Sequence, residues 1–189
     1  MHTIWVDSYD PTLIGQRLAW GRSHSVYRYG EHEVIKIPFL EYVMWPKLQE
    51  RLERDISASQ KYFGEFFLST RIVEHPKTRA IATIQPFIVG HYLSKEDVRH
   101  PAGKQTFEKF MACYDAMYAD GVAPLDLVGQ GGVLERKLSN VMVLSDGSWK
   151  IYDAAILDLF GFEWWNWLAR GVIWAVLRRQ EGTIQYFRS

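Results

Sequence analysis

The chain of 189 residues is long enough for one domain, or for one domain divided into two lobes, and 48% of its residues are hydrophobic. Its 22 basic side chains balance 22 acidic ones, so the surface lacks the positive excess that neutralises nucleic-acid phosphates. The one cysteine, Cys113, excludes an internal disulfide and any site built from several cysteines. We therefore expect a globular protein without a nucleic-acid partner.

The N-terminal residues and the most hydrophobic window of the chain indicate where in the cell the protein is expected to act. The N-terminal residues, MHTIWVDSYDP, lack the charged start and long apolar run of a signal peptide. The window 159–177 contains Glu163, Asn166 and Arg170, which makes it a poor membrane span and a better buried or interfacial helix. These features predict no stable membrane insertion and a cytoplasmic location.

The first half of the chain is typical of strands around one helix. β-Branched and aromatic residues punctuated by glycine fill TLIGQRLA, SVYRYG and HEVIKIPF, and YGEHE predicts a hairpin turn between the last two. PKLQERLERDISASQKYF has apolar residues at 48, 52 and 56, which is a helical spacing, with Pro46 near its start. Two more strands, FLSTRIVE and AIATIQPFIV, follow on either side of the turn HPKTR.

Helical spacing returns in GKQTFEKFMACYDAMYADG, which Gly121 ends. A strand NVMVL, a turn SDGS and a strand WKIYDAAI come next, and a last, aromatic-rich helix is predicted over about 162–180. Gly90 is the natural hinge between the halves, which divides the chain into residues 1–89 and 90–189.

Small residues in the first hairpin suggest a phosphate-binding turn. Gly21, Ser23 and Ser25 fall between two strands, where backbone N–H groups can approach phosphate oxygens. Lys36 in the next strand would supply a point charge, and it shares a strand face with Val34. The alternative is a lysine on the solvated face of an edge strand.

The order of these elements resembles the protein-kinase-like superfamily, in which a glycine-rich loop precedes a V-A-I-K strand whose lysine binds ATP phosphates and pairs with a helix glutamate. EVIKI occupies the position of V-A-I-K. When the loop is aligned on Val26, Gly21 matches the middle glycine, and Ala19 and His24 replace the outer two. The resemblance implies a two-lobed α+β fold. Residues 1–89 would form an N-terminal lobe with a five-stranded antiparallel sheet and one helix, and residues 90–189 a reduced, mostly helical C-terminal lobe.

The resemblance also implies the residues of a nucleotide site. ERDI is similar to the E-x-x-I of the family, so Glu53 would pair with Lys36, with Glu50 and Asp55 as competing acids. IQPFIVG is similar to the hinge whose backbone groups receive adenine. The residues expected to bind ATP are Gly21, Ser23, His24, Ser25, Val26, Lys36, Gln85 and Phe87.

Asp126 falls at the position of the catalytic base. G-V-A-P-L-D-L is similar to the helix end and H-R-D-L stretch of kinases, with Pro124 and Leu125 in place of His and Arg. The rival is Glu135, which precedes Asn140 by five residues as the kinase aspartate does, whereas Asp126 precedes it by fourteen. Asp126 therefore implies an insertion of nine residues before Asn140.

LSNVMVLSDGSWKIYDAAI is similar to the metal-binding hairpin of the family. Asn140 and Asp153 flank it and carry oxygen ligands suited to Mg²⁺, or to Mn²⁺ in its place. Only 36 residues follow Asp153, too few for the activation segment and lower helices of protein kinases. The resemblance is therefore to minimal kinases of the kind found in bacterial effectors and bacteriophages.

We expect an ATP- and Mg²⁺-dependent kinase that transfers the γ-phosphoryl group to a serine or threonine of a partner protein. It would act in the cytoplasm, or in a host cytosol if it is delivered as an effector. The alternatives are a pseudokinase that uses the fold to bind a partner, a small-molecule kinase, and a nucleotidyltransferase on the same fold. The aromatic C-terminal helix is expected to offer a partner surface as well.

Overall fold

The computed structural model describes residues 6–20, 23–39, 47–125, 127–128, 137–153, 155–159 and 167–189. Within these ranges the protein belongs to the α+β class, with three sheets and four α-helices. The chain forms two compact units. The first consists of Met1–Ile56 with Leu68–Ile88, and the second of Ser57–Phe67 with Val89–Ser189.

A six-stranded sheet forms the first unit. Its strands are β1 (Asp7–Ser8), β2 (Ile14–Trp20), β3 (His24–Tyr29), β4 (Glu33–Pro38), β5 (Arg71–Glu74) and β6 (Ile81–Pro86). They lie in the order β1-β5-β6-β4-β3-β2, and every pair is antiparallel except β1 with β5. The expected count of five strands is thus exceeded by β1, which at two residues is too short to show a period of two in the sequence.

One face of this sheet carries an apolar core. Successive side chains of a strand point to opposite faces, so alternate residues of β3, β4 and β6 meet on one side. The buried members are Tyr9, Tyr29, Ile35, Val73, Ala82 and Ile84. The rings of Tyr9 and Tyr29 meet edge to face with their centroids 6.4 Å apart. Lys36, one residue from Ile35, therefore belongs to the opposite face.

The predicted first helix is present as α1 (Leu48–Phe63). Its buried positions are four residues apart, at Asp55, Ser59 and Phe63, so they form one inward stripe. The helix belongs to both units, because the first unit ends at Ile56 and the second begins at Ser57. Residues 57–67 thus pack with the second unit, although they precede the sequence division at Gly90.

The second unit alternates short strands and helices. Its elements are β7 (Gly90–Leu93), α2 (Lys95–Arg99), α3 (Pro101–Ala119), β8 (Val122–Pro124), β9 (Leu138–Leu144), β10 (Trp149–Ile151), β11 (Ile156–Asp158) and α4 (Trp167–Arg188). The strands form two sheets, β10-β9-β7 and β11-β8, and all pairs in them are antiparallel. The predicted strand WKIYDAAI is therefore two strands in different sheets, because the chain leaves β9 after Ile151 and joins β8 at Ile156.

Gly90 has a steric role in this unit. A Cβ atom at this position would lie 2.2 Å from the carbonyl oxygen of Val143, so only glycine allows β7 to approach β9 this closely. Gly90, the expected hinge, is thus the first residue of a strand, and the boundary between the units falls after Ile88, one residue before the predicted division.

Aromatic rings fill the core of the second unit. Phe110 of α3 stacks on Phe63 at 5.4 Å between centroids, and Phe66 meets it edge to face at 5.5 Å. Phe107 of the same helix contacts Trp149 of β10 at 6.4 Å and Phe187 of α4 at 6.0 Å. These rings therefore join α1, α3, β10 and α4.

The last helix packs through its C-terminal half. It is described from Trp167 to Arg188 and extends beyond the predicted end at 180, because buried positions recur at helical spacing at Gln180, Thr183, Ile184 and Phe187. The predicted start at 162–166 lies outside the described residues. Trp174, in the more apolar half, is 60% exposed. Among the described residues, no helix has the length and apolar character needed to cross a bilayer.

Candidate functional site

The segment that contains Asp126 begins at the end of α3. Gly121 adopts a positive φ of 74°, which glycine tolerates best, and its N–H donates to the carbonyl of Tyr118 at 2.9 Å. The chain then enters β8, in which Pro124 pairs with Ile156 of β11. The strand pairing continues in a hydrogen bond of 2.7 Å from the N–H of Leu125 to the carbonyl of Ala155. The residue before Asp126 is thus bonded to a residue that lies two positions after Asp153.

The residues after Asp126 are bonded to the strand that carries Asn140. The N–H of Asn140 donates to the carbonyl of Leu127 at 3.3 Å. The carbonyl of Val128 accepts from both the N–H of Ser139, at 3.4 Å, and its Oγ, at 2.5 Å. Leu127 and Val128 are themselves buried, so this stretch is anchored by apolar side chains as well as by its backbone.

The opposite side of the same stretch is bonded to α4. Oε1 of Gln180 accepts from the N–H of Leu127 at 3.1 Å, and its Nε2 donates to the carbonyl of Pro124 at 2.6 Å. Sequence reasoning did not single out Gln180. The available signal was its helical spacing with Ile184 and Phe187, which identifies an inward-facing polar residue but not what it binds.

The predicted metal-binding hairpin is formed by β9 and β10. Val141 pairs with Ile151, and the N–H of Tyr152 donates to the carbonyl of Asn140 at 3.2 Å. Asn140 thus lies opposite Tyr152 and one residue away from Asp153 across the hairpin. Asn140 is buried and Asp153 is partly buried, so both belong to the protein interior or its margin and not to the exposed turn at 145–148.

The hairpin carries two residue types, an amide and a carboxylate, that could contribute oxygen ligands to a magnesium ion. Within the described residues, no group of three or more histidine, cysteine, aspartate or glutamate side chains could hold a metal alone. Mg²⁺ is usually held by one or two protein oxygen ligands together with water and substrate phosphates. A carboxylate at Asp153 and an amide at Asn140 supply such a set.

Lys36 lies in the interior of the first sheet. β4 has β3 on one side and β6 on the other, and Lys36 pairs with Val26 and Thr83 across these strands. Its exposed fraction is 8%. The alternative of a solvated lysine on an edge strand is therefore wrong. On the same face, Gln85 is buried and its Nε2 donates to Oγ1 of Thr70 at 2.7 Å, so the face opposite the apolar core carries buried polar groups.

The acids of α1 differ in burial. Glu53 is partly buried and accepts a hydrogen bond of 2.8 Å from Nε2 of Gln49, one helical turn earlier. Glu50 is exposed and pairs with Lys47 at 3.4 Å. Asp55 lies on the inward stripe, is 6% exposed, and forms ion pairs with Arg54 at 3.1 Å and with Arg51 at 3.7 Å. Asp55 is thus the acid of this helix that points most directly into the protein.

The predicted phosphate turn is mostly strand in its described part. Ser23 precedes β3, and its Oγ lies 2.9 Å from Nδ1 of His24. His24, Ser25 and Val26 are inside the strand, and Ser25 is buried on the face of the apolar core, where it pairs with Ile37. The side chain of Ser25 therefore belongs to the core face of the sheet and not to the predicted turn.

The expected adenine-binding hinge begins at the end of β6. The N–H of Phe87 donates to the carbonyl of His32 at 2.7 Å, so this donor is used within the first unit. The ring of Phe87 is partly exposed, and the guanidinium of Arg28 lies 4.0 Å from its centroid. An adenine edge would need other backbone groups of the segment near Gln85 to Phe87.

Gly21, Asp126 and Glu135 lie outside the described residues, so their predicted roles rest on their sequence neighbours. Neither the models of known protein families nor the curated proteins include a match to this chain. The function must therefore be argued from the geometry of the two units, each taken by itself.

Proposed function

We propose that the protein is a kinase-like phosphotransferase with a two-lobed fold, which uses ATP and Mg²⁺ to phosphorylate a hydroxyl group. The observation that carries this proposal is the set of backbone hydrogen bonds around Asp126. These bonds join Leu125 to Ala155 and Leu127 to Asn140. The sequence neighbours of Asp126 and Asp153 and the residue Asn140 itself are therefore close together in the second unit. A base segment beside two oxygen ligands is the arrangement that phosphoryl transfer needs.

The burial of Lys36 supports a nucleotide role for the first unit. A lysine is almost never fully buried unless its charge is paired, so a lysine as buried as Lys36 is suited to a site that brings negative groups to it. Lys36 would bind the phosphates of ATP as a compact positive charge. We assign the acid that orients it to Asp55 and no longer to Glu53, because Asp55 belongs to the inward stripe of α1.

In the proposed step, the acceptor hydroxyl oxygen forms a bond to the γ-phosphorus of ATP. The bond from that phosphorus to the β–γ bridging oxygen breaks, and its electron pair leaves with ADP. The hydroxyl proton passes to the carboxylate of Asp126. Bound Mg²⁺ would neutralise charge on the phosphates, with Asn140 and Asp153 as the residues that hold it. The acceptor we propose is a serine or threonine of a partner protein.

A second function, a binding module without catalysis, is favoured by two features of the first unit. The N–H of Phe87 already donates to His32, and Ser25 is buried within β3. Both reduce the number of donors that the chain can offer to a nucleotide. The module would then bind a partner protein through a fold that has lost its affinity for ATP.

The test measures transfer of label from γ-labelled ATP with Mg²⁺, by the purified protein alone and with a cell lysate. Asp126→Asn and Asp153→Asn are compared with Asp146→Asn, which changes an exposed aspartate in the turn of the same hairpin. We expect transfer by the wild type and by Asp146→Asn, and its loss in the other two. Retention of transfer in Asp126→Asn alone would move the base to Glu135. Absence of both transfer and ATP binding in the wild type would leave the binding module as the function.

A further inference from the structure

One amide group connects α4 to both sides of the Asp126 segment. Gln180 is only 1% exposed, and its side chain spans from the carbonyl of Pro124 to the N–H of Leu127. These two backbone groups enclose Leu125 and Asp126 in sequence. The described backbone groups of Pro124 and Leu127 are therefore bonded to α4, while Leu127 is also bonded to the β9–β10 hairpin.

The orientation of this amide is determined by its partners. Nε2 of Gln180 donates to the carbonyl of Pro124 and lies 3.5 Å from the hydroxyl oxygen of Tyr114, whereas Oε1 faces the N–H of Leu127. An amide has two N–H donors on one side and an accepting oxygen on the other, so exchanging the two would place like groups together. The polar atoms of this side chain are thus bonded to Pro124, Leu127 and Tyr114.

We infer that Gln180 is a positioning residue for the catalytic base, because it holds the backbone on both sides of Asp126. The inference rests on the proposed phosphotransferase function. Displacement of a catalytic group by about 1 Å can lower a rate by about 100-fold even when the altered residue lies away from the chemistry. Gln180 should therefore control kcat and leave the affinity for ATP unchanged.

Glutamate at this position offers a sensitive probe. An ionised carboxylate can accept from the N–H of Leu127, but it would set a second negative oxygen against the carbonyl of Pro124. Only the protonated acid supplies both an acceptor and a donor. The titratable groups bonded to Gln180 are Tyr114 and Tyr118 of α3, and the negative charge of Glu181 acts on both of these tyrosines; such neutral or acidic neighbours do not favour ionisation.

The experiment measures kcat and KM for ATP, as ADP released in the presence of Mg²⁺, in the full chain. Gln180→Leu removes the amide at similar size, and Gln185→Leu makes the same change at an exposed position of α4. We expect kcat to fall about 100-fold in Gln180→Leu, with KM for ATP within about twofold of the wild type. Gln185→Leu should retain the wild-type values.

Gln180→Glu supplies a second readout that a merely structural role would not move. Its kcat should decline as the pH rises through the pKa of the buried glutamic acid, an ionisation that the wild type lacks. Gln180→Glu also tests the positioning role of Gln180 if Gln180→Leu does not fold. The inference would be overturned if Gln180→Leu had the same kcat as Gln185→Leu. It would also be overturned if the pH profile of Gln180→Glu matched that of the wild type. Absence of ADP release by the wild type would instead refute the proposed function, and the inference with it.

Discussion

Asp55 and Glu53 are two residues apart on α1, yet they occupy different environments. Asp55 lies on the stripe with Ser59 and Phe63, and Glu53 lies beside it and is bonded along the helix to Gln49. A motif aligned on sequence selects Glu53, whereas the period of the helix selects Asp55. At the scale of the single residue, burial therefore favours Asp55 over Glu53 as the acid that we propose to pair with Lys36.

The two acids can be separated by substitution at constant size. We expect Asp55→Asn to lower kcat/KM for phosphoryl transfer by about tenfold or more, because it would remove the charge proposed to orient Lys36. Glu53→Gln, the matched control one half-turn away, should stay within about twofold. Steady-state kinetics on the two variants provide the measurement. A larger loss in Glu53→Gln would return the pairing role to Glu53.

Asp97 predicts a pH-dependent contribution to stability. Burial acts to raise the pKa of this carboxyl, but hydrogen bonds from the side chain of Ser94, from His91 and from the N–H of Ser94 outweigh it and hold the pKa below the ordinary 3.8. A lowered pKa stabilises the folded state fully above about 3.8, and this contribution disappears as the pH falls through the lower, folded-state value. We expect Asp97→Asn to reduce the free energy of unfolding by about 1 kcal/mol at pH 7.

Urea denaturation at several pH values checks this expectation. The difference between Asp97→Asn and the wild type should shrink below about pH 3.8 and nearly vanish once the wild-type carboxyl is protonated. Glu96→Gln, at the neighbouring exposed position of α2, is the control for a lost charge. A deficit of Asp97→Asn that is the same at all pH values would mean that the cap does not depend on the ionised carboxylate.

At the scale of the element, α2 and α3 cross at a glycine. A Cβ at Gly103 would lie 1.7 Å from the carbonyl oxygen of Asp97, which is closer than any relaxed contact allows. Gly182 in α4 has nothing within 4 Å of its would-be Cβ. Gly103 therefore permits the close approach of the two helices, whereas Gly182 has no packing role and only lowers the helix propensity of α4.

This contrast predicts opposite effects of the same substitution. Gly103→Ala should lower the free energy of unfolding by about 1–3 kcal/mol, because the two helices must move apart. Gly182→Ala should raise it by up to about 1 kcal/mol through helix propensity. Denaturant unfolding followed by far-UV circular dichroism measures both. Equal destabilisation by the two variants would show that α4 needs its glycine for a reason other than packing.

The long periodic elements could be predicted from sequence, and the short ones could not. β2, β3, β4, α1 and α3 show a period of two or 3.6 residues over at least six positions, whereas β7, β8 and β11 have three or four residues and exist through distant partners. The start of α2 was readable in principle, because Ser94 and Asp97 form a capping box at the usual spacing.

The same limit applies to the candidate site. The order of Lys36, Asp126, Asn140 and Asp153 is visible in the sequence. The burial of Lys36 is not, because β4 becomes a central strand only when β6 pairs beside it, and β6 begins more than forty residues later. The hydrogen bonds of Gln180 also join residues more than fifty positions apart, which no local pattern encodes.

At the scale of the whole molecule, α1 contributes to both units. Its first half belongs to the first unit, and Phe63 at its end stacks on Phe110 in the second. Cutting the chain at the sequence division near Gly90 would remove Phe63 and Phe66 from the aromatic core of the second unit. The two units are therefore not interchangeable with the two halves of the sequence.

Phe63→Ala tests this assignment in the intact chain. Loss of a fully buried ring should destabilise the second unit by about 3–5 kcal/mol. Amide hydrogen exchange should then accelerate in α3 and β10 more than in β3 and β4 of the first sheet. Phe39→Ala, which removes a partly buried ring from the first unit, is the control and should leave α3 unaffected. Equal acceleration in both units would show that they unfold as one.

The long-range bonds of Gln180 have a consequence for the synthesis of the chain. The ribosome adds Pro124 and Leu127 more than fifty residues before it adds their partner on α4. A nascent protein can therefore complete its first sheet while the loop around Asp126 still lacks its anchor. The backbone on either side of Asp126 would therefore gain its bonds to α4 only after Gln180 has left the exit tunnel, so under the proposed function phosphoryl transfer could not begin before that point.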